Sequence, residues 1–296
     1  MDVSIIIVNY NTKELTRNCL NSIFKQTKEI SFEVIVSDNG STDGSIEMIK
    51  VDFPHVILIE NNVNLGFGAA NNRGLTKATG KYVFYLNSDT VLLNNAVKIF
   101  FDYWENAANK ERIGALGAIL LDYDLRPCIS YGKFPTTKNE LWYLFKCFLS
   151  SMYIKKLWLK VCKGKHIEYS VGYVDYVIGA DLFLKNNSSS FFDERYFMYY
   201  EETDLQLHLA KHGLHRIIID TPKIIHFEGG TSNEDKSFYD FRRKTAIYYW
   251  QSCLRYVNKN LGNSWQQKIL RLILILIFLL PKNIKFTFKE IKGLCT

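Results

Sequence analysis

Four groups of polar residues along the chain carry side chains that can do chemistry. The first is Asp38-Asn39-Gly40-Ser41-Thr42-Asp43. A carboxylate at the end of a strand can accept from the ring N3–H of a pyrimidine. Gly40 permits a tight turn and Asp43 suits a helix N-cap. Plain turn chemistry explains the same residue types. The second group is Asn87-Ser88-Asp89. Asp89 can give a hard oxygen ligand to a divalent cation of the kind a strongly anionic phosphate group requires, and Asn87 can hydrogen-bond without adding charge. The third is Glu201-Glu202-Thr203-Asp204, behind the aromatic stretch Tyr196-Phe197-Met198. Compensation of a helix dipole accounts for Asp204 and one glutamate. Three carboxylates so close together would raise at least one pKa, which suits a general base. The fourth is His226, which follows a strand-like run and precedes Gly229-Gly230. A lone histidine is more often structural, but this setting is that of a residue reaching into a cleft. The other five histidines, His208 and His212 among them, read as surface or packing residues.

The intervening pattern says what must position these groups. Residues 3–8 form a short β-branched run, read as a buried strand. Helical spacing over 12–26 puts Leu15, Cys19, Leu20 and Ile23 on one side. Strands are predicted at 32–37, 56–60 and 82–86, with helices at 43–51 and 67–78. Such alternation implies a parallel, doubly wound α/β sheet with right-handed crossovers. Ligands of such sheets bind at the carboxyl ends of the strands. Asn9-Tyr10-Asn11, Asp38-Asn39 and Asn87-Ser88-Asp89 all fall at that edge.

The chain has 296 residues, 47 % of them hydrophobic, enough to fill a core without disulfides or metals. Its net charge is +7. The basic excess gathers near residues 155–165 and 282–292, beside apolar runs, a pattern that fits an anionic membrane surface and not a nucleic acid. None of the six cysteines forms a CxxC pair or stands near a histidine at zinc spacing, so they read as buried or idle thiols of a reducing compartment. The opening run MDVSIIIVNY is too short for a signal peptide and lacks a basic flank, so a cytoplasmic location is expected.

Taken in order, the four groups resemble glycosyltransferase family 2. Val3 to Asn11 looks like the family's opening strand and loop, and Val36 to Gly44 like its nucleotide-binding turn. Asn64-Leu65-Gly66-Phe67-Gly68-Ala69-Ala70-Asn71-Asn72-Arg73-Gly74 resembles a stretch of the rhamnosyltransferase-like members. Asn87-Ser88-Asp89-Thr90 is similar to their variant of the metal-binding DxD motif, and Gly179-Ala180-Asp181 to the segment lining the sugar site. Met198 to Leu205 resembles the acidic motif with the catalytic base, and His226 falls where the family has a metal-binding histidine. The resemblance spans roughly residues 3–232.

It implies an α/β GT-A fold, a doubly wound mixed sheet with a C-terminal helical extension. The expected organisation is a catalytic domain over 1–232, with an aromatic and basic helical insertion near 141–165, then a helical, membrane-associating region over 233–296. It also implies an inverting single displacement from a nucleotide-sugar donor, with dTDP-rhamnose indicated by the subgroup. The acceptor is then a hydroxyl of a glycan, lipid-linked, in surface polysaccharide synthesis. Asn9, Tyr10, Asn11, Asp38, Asn72, Asn87, Ser88, Gly179, Ala180 and Asp181 would bind the nucleotide sugar, and Asp89 and His226 would hold Mg²⁺ or Mn²⁺. Glu202 would be the base. Two departures matter: Asn87 stands at the first DxD position, and a glutamate replaces the usual aspartate at the base, which lengthens the reach by about 1.5 Å and leaves Glu201 as a rival. A sugar nucleotidyltransferase would carry a glycine-rich N-terminal loop with a basic residue in place of Asn9-Tyr10-Asn11. A non-catalytic membrane adaptor of the same fold would be free to lose Asp89, Glu202 or His226.

The aliphatic run 269–280, with Lys282, Lys285, Lys289 and Lys292 after it, is too short to span a bilayer. It reads as a peripheral anchor on the cytoplasmic face, joined by Trp142 and Trp158, or as a helix that packs on protein.

Overall fold

The structure, a computed structural model, describes residues 1–151, 169–227, 244–262 and 265–279. It divides into two compact units. The first comprises Met1–Phe134, Tyr169–Arg195 and Glu201–Glu234, the second Pro135–Glu168, Tyr196–Tyr200 and Asp235–Thr296. The expected boundary at 232 and the lysines from 282 to 292 lie outside the described residues, as does the aromatic and basic stretch beyond 151.

In the first unit the chain runs through β1 (Val3–Asn9), α1 (Lys13–Gln26), β2 (Phe32–Asp38), α2 (Ser45–Asp52), β3 (Ile57–Glu60), α3 (Phe67–Leu75) and β4 (Tyr82–Asn87). These alternate as the sequence pattern predicts. Then follow β5 (Thr90–Leu92), α4 (Ala96–Asn106), β6 (Ile113–Ala118) and β7 (Tyr131–Gly132). The second unit opens with α5 (Thr137–Ser151). The chain returns to the first unit through β8 (Gly172–Val174), β9 (Tyr176–Val177), β10 (Asp181–Lys185), α6 (Glu201–Lys211), β11 (His215–Ile219) and β12 (Ile224–His226). It ends in the second unit with α7 (Lys244–Asn260) and α8 (Trp265–Leu279).

The main sheet has the order β3-β2-β1-β4-β10-β6-β11-β8. Its first four strands are parallel. β10 runs antiparallel to both β4 and β6, and this makes the sheet mixed. Alternate side chains of the central strands enter two cores. Val3, Ile5 and Ile7 pack with Cys19, Leu20, Ile23 and Phe100 on one face. Ile6, Ile35, Val83 and Tyr85 pack with Leu75, Leu205 and Leu209 on the other. Helices on both faces bury aliphatic side chains at about 1.5–3 kcal/mol each, which makes this doubly wound arrangement stable. The chain turns to β2 and β3 on one side of β1 and then crosses to β4 on the other. The carboxyl ends of β1, β2 and β4 therefore meet at a topological switch point, with Asn9 in register with Asp38 and Val8 with Asn87.

Three local expectations are corrected. Asp43 is not the N-cap of α2: Gly44 takes that position at φ 82°. The Asp43 carboxylate accepts instead from Lys13 N–H and from the N–H and hydroxyl of Ser45. The helix expected over 67–78 ends at Leu75, and Thr76 and Lys77 form a turn before Gly80. The aliphatic helix expected from 269 begins earlier, at Trp265.

In the second unit α7 buries Ala246, Ile247, Trp250, Cys253, Leu254 and Val257, a helical stripe. The Tyr143 ring of α5 meets the rings of Tyr249 and Trp250. Buried Glu140 accepts from Tyr249 Oη (3.5 Å) and the Cys253 thiol (3.6 Å), and burial pushes its carboxyl up. Cys19 and Cys253 are buried thiols outside any disulfide, as their spacing suggested.

Candidate active site

The end of β1 is a closed hydrogen-bond network. Asn9 is fully buried. Its Nδ2 donates to Asp38 Oδ2 (2.6 Å) and Ser41 Oγ (3.1 Å), and its Oδ1 accepts from the Thr12 and Thr16 hydroxyls. Asp38 is buried too, and its other oxygen accepts from Gly40 N–H (3.0 Å) and Ser41 N–H (2.8 Å). Gly40, at φ 79°, lies so close to the backbone of Asn62 that a Cβ would stand 2.9 Å from it, hence the glycine. Asp38 and Asn9 thus shape the turn from beneath. The surface above is formed by Tyr10, 43 % exposed, and by Asn11. Asn11, at φ 54°, accepts from Thr42 N–H (2.8 Å) and donates its own N–H to Ser41 Oγ (2.9 Å). An exposed ring beside free edges of polar backbone is suited to a flat nucleobase.

At the end of β4, Ser88 is buried, with its Oγ 3.0 Å from Thr12 Oγ1. Asn87 and Asp89 stay half-buried. β12 pairs antiparallel with β5 and puts His226 opposite Thr90. His226 Nε2 then lies 3.4 Å from Asp89 Oδ1 and 3.5 Å from Asn87 Nδ2. Two buried atoms here, Asn87 Oδ1 and His226 Nδ1, lack a hydrogen-bond partner among the described residues. An imidazole nitrogen and a carboxylate this close form a donor pair that Mg²⁺ or Mn²⁺ accepts. Among the described residues no three His, Cys, Asp or Glu side chains gather around a common point. A cation held by this pair must take further ligands from a bound phosphate and water, which is usual for Mg²⁺ at phosphate sites.

The acidic group forms the first turn of α6. Just before it, Tyr199 and Tyr200 both adopt φ 69°, two consecutive left-handed residues that are not glycine. Such conformations cost free energy and gather at functional sites. Glu201 is buried, and Gly68 makes room for it: a Cβ at 68 would stand 3.5 Å from Glu201 Cβ and 3.0 Å from Phe192 Cβ. Glu202 is half-buried. Loss of water pushes its pKa from 4.5 up to about 7, against the pull of the N–H groups of Glu202 and Thr203.

Gly179 and Ala180 connect this turn to Asn87. A Cβ there would be 3.3 Å from the Phe67 ring and 3.7 Å from Glu202 Cβ. The next residue, Ala180, accepts from Asn87 N–H through its carbonyl (3.0 Å). Asp181 is fully buried and accepts from Ala118 N–H (2.5 Å), while burial holds its carboxyl well above the usual range. It joins β10 to β6 and does not open into the cleft. Asn72 is likewise occupied. Its amide pairs with the backbone N–H (2.9 Å) and carbonyl (2.9 Å) of Phe192 and donates to Glu194 Oε1 (3.0 Å).

Sequence reasoning missed Gln206 and, though it placed Asn39 at the strand edge, gave it no task of its own. Gln206 is fully buried one turn after Glu202. Its Oε1 accepts from Val177 N–H (2.8 Å), and its Nε2 donates to the Val177 carbonyl (2.7 Å) and the Glu202 carbonyl (3.1 Å). It thereby holds the strand before Gly179 against α6. Asn39 donates to Gly66 O (3.1 Å) and accepts from Asn61 Nδ2 (3.1 Å), tying the turn after β2 to the start of α3. A polar residue in a helix stripe, such as Gln206, is the only local sign of such a role.

Residues 4–116 match the family described as glycosyl transferase family 2. Across most of its length the chain is similar to the N-acetylglucosaminyl-diphospho-decaprenol L-rhamnosyltransferase of Mycobacterium tuberculosis, 25 % identical over 275 residues that cover 85 % of this chain and 87 % of that protein. Over 115 residues it is 36 % identical to the abequosyltransferase RfbV of Salmonella typhimurium, covering 37 % of this chain and 34 % of that one. The fold matches the mannosyltransferase PcManGT from Pyrobaculum calidifontis in complex with GDP-Man and Mn²⁺, with a TM-score of 0.54, 16 % identity, and 99 % of this chain and 73 % of that chain covered. It also matches S. aureus TarS, with a TM-score of 0.55 and 16 % identity over 98 % of this chain, which spans 46 % of the TarS chain. Both structures carry the GT-A fold. With its mixed sheet and its polar switch point arranged in this way, the chain is a glycosyltransferase of GT-A fold whose residues 4–116 match glycosyl transferase family 2 and whose relatives include a rhamnosyltransferase.

Proposed function

We propose that the protein transfers a deoxyhexose, rhamnose in the first instance, from a nucleoside diphosphate to a hydroxyl of a lipid-linked glycan, in the assembly of a surface polysaccharide and on the cytoplasmic face of the membrane. The observation that carries this reading is the chain of contacts from Asp89 and His226 through Asn87, Ala180 and Gly179 to Glu202. It sets a leaving-group site beside a carboxylate whose pKa of about 7 suits a base at neutral pH. The rhamnosyltransferase and abequosyltransferase relatives support a deoxyhexose, and the acceptor in the name of the former supports a polyprenyl diphosphate carrier.

In this reading Tyr10 and Asn11 receive the nucleoside on the turn that Asp38 and Asn9 hold. Asn87, Ser88 and the backbone at Gly179 and Ala180 border the diphosphate and sugar, while Asn72 and Asp181 keep their segments in place. Asp89 and His226 would hold Mg²⁺ or Mn²⁺, which neutralises charge on the departing diphosphate. Glu202 takes the proton of the acceptor hydroxyl as its oxygen bonds to the anomeric carbon. The bond from that carbon to the diphosphate oxygen breaks on the opposite face, and the nucleoside diphosphate leaves with the electron pair. Glu201, buried behind Gly68, is the less accessible of the two glutamates.

The test is hydrolysis of a panel of nucleotide sugars by the purified chain, with Mn²⁺ and with EDTA. Metal-dependent turnover of dTDP-rhamnose above UDP- and GDP-hexoses is the expected result. Turnover confined to another donor overturns the sugar assignment, and turnover unaffected by EDTA overturns the metal.

A further inference from the structure

α8 has two apolar faces. Leu270 and Leu274 are fully buried within the second unit, where α8 packs on α5 and α7. At 3.6 residues per turn, Trp265, Ile269, Leu272 and Leu276 lie within an arc of about 60° on the opposite side. They are 68, 39, 58 and 56 % exposed. A helix on the surface of a globular unit ordinarily presents charged and polar residues there, and one that is apolar all round is otherwise found in a core or in lipid. α5 adds Trp142 and Phe145, 58 and 49 % exposed, their rings stacked at 5.6 Å.

The charge next to this face is of one sign. Lys268 and Arg271 sit on one flank of the apolar arc and, with Asn258 and Gln267, line a cavity of about 350 Å³. α8 carries no aspartate or glutamate anywhere along its 15 residues. A cationic cavity beside an apolar ridge is complementary to a surface that is anionic outside and apolar beneath. A second apolar protein face alone offers this flank no anionic layer. Nor can α8 cross a bilayer. Fifteen residues rise only about 22 Å, against about 30 Å of hydrocarbon. Among the described residues no helix is long and apolar enough to do so.

We propose that this face of α8 is an in-plane docking surface for anionic phospholipid. Trp265, Ile269, Leu272 and Leu276 enter the boundary between headgroups and acyl chains, while Lys268 and Arg271 meet lipid phosphates. The proposal rests on the membrane reading above and supplies its surface. Both expectations for the aliphatic segment then hold on one helix: one face packs on protein and the other on lipid.

The experiment uses the full chain and co-sedimentation with vesicles of phosphatidylcholine alone or with one quarter phosphatidylglycerol. The parent is expected to bind the anionic vesicles at least about tenfold more tightly than the neutral ones. Leu272→Glu with Leu276→Glu is expected to weaken binding to both kinds by about tenfold or more. Lys268→Glu with Arg271→Glu is expected to abolish the preference for anionic vesicles. Unchanged far-ultraviolet circular dichroism verifies the fold of each variant. Absence of vesicle binding by the parent, or parent-like binding by both variants, overturns the proposal. A parent dimer that the Leu272→Glu, Leu276→Glu pair makes monomeric also overturns it, in favour of a second copy as the occupant. Nucleotide-sugar hydrolysis measured without vesicles separates the two readings: turnover retained with docking lost removes only this surface.

Discussion

His226 Nε2 lies 3.4 Å from Asp89 Oδ1 because β12 runs antiparallel to β5 and places His226 opposite Thr90. Neither residue alone makes a cation site, and Asn87 between them adds a neutral amide. We expect Asp89→Ala and His226→Ala each to weaken Mn²⁺-dependent donor binding by about tenfold or more. Titration of donor with and without EDTA measures this. Donor binding equal to the parent's in both variants, with no response to EDTA, removes the pair from the site.

Glu202→Gln keeps the shape of the side chain and removes its basicity. Donor affinity should be preserved while transfer falls by about 10²-fold or more. Near-normal turnover would move the base to Glu201 or Asp204. A base at Glu202 has to be ionised to work, and burial pushes its pKa up to about 7. Turnover at saturating donor should therefore rise with pH to about 7, and lose about tenfold for each unit below it. The sign for stability is the reverse. The folded state holds the extra proton between 4.5 and about 7, so this carboxyl's contribution to folding declines as pH rises through that window.

Asp38→Ala separates a structural from a contact role. The substitution leaves Gly40 N–H, Ser41 N–H and Asn9 Nδ2 without their acceptor in a buried place. A loss of about 3 kcal/mol or more in urea unfolding is expected. If stability is unchanged and only nucleotide affinity falls, Asp38 meets the base directly.

Gln206→Leu retains bulk but strips both hydrogen bonds from the Val177 backbone. We expect about 2–3 kcal/mol of destabilisation and a lower kcat, because the strand before Gly179 is then free to move from Glu202. Unfolding midpoints equal to the parent's would show that water replaces the amide.

The polar groups at Asn9, Asp38 and Asn87 were legible because each ends a strand with a marked apolar pattern. β1, β2 and β4 are runs of β-branched and aromatic residues whose burial on both faces leaves no alternative element. Their carboxyl ends had to share an edge, so Asn9, Asp38 and Asn87 had to be neighbours. Less legible was the task of each residue there. Asp38 reads equally as a nucleobase acceptor and as a turn former, and only its 0 % exposure and its bonds to Gly40 N–H, Ser41 N–H and Asn9 reveal that it braces the turn, whatever else it meets. Asp181 and Asn72 belong to segments that the family resemblance assigns to the site, yet their side chains bind backbone beneath it.

The sequence by itself determined the fold class, the order of the strands before β5 and the chemical types present at the switch point. These follow from local periodicity and short connections, which act between near neighbours in the chain. Only the tertiary structure decided which distant residues meet: His226 with Asp89 through the β5–β12 pair, Gln206 with Val177, Gly179 with Glu202. Such meetings depend on the register of strands far apart in sequence and on which face of a helix finds a partner. The same holds for α8. Its composition is apolar on nearly every side, and only packing against α5 and α7 decided that Leu270 and Leu274 would be buried and Leu272 and Leu276 left outside.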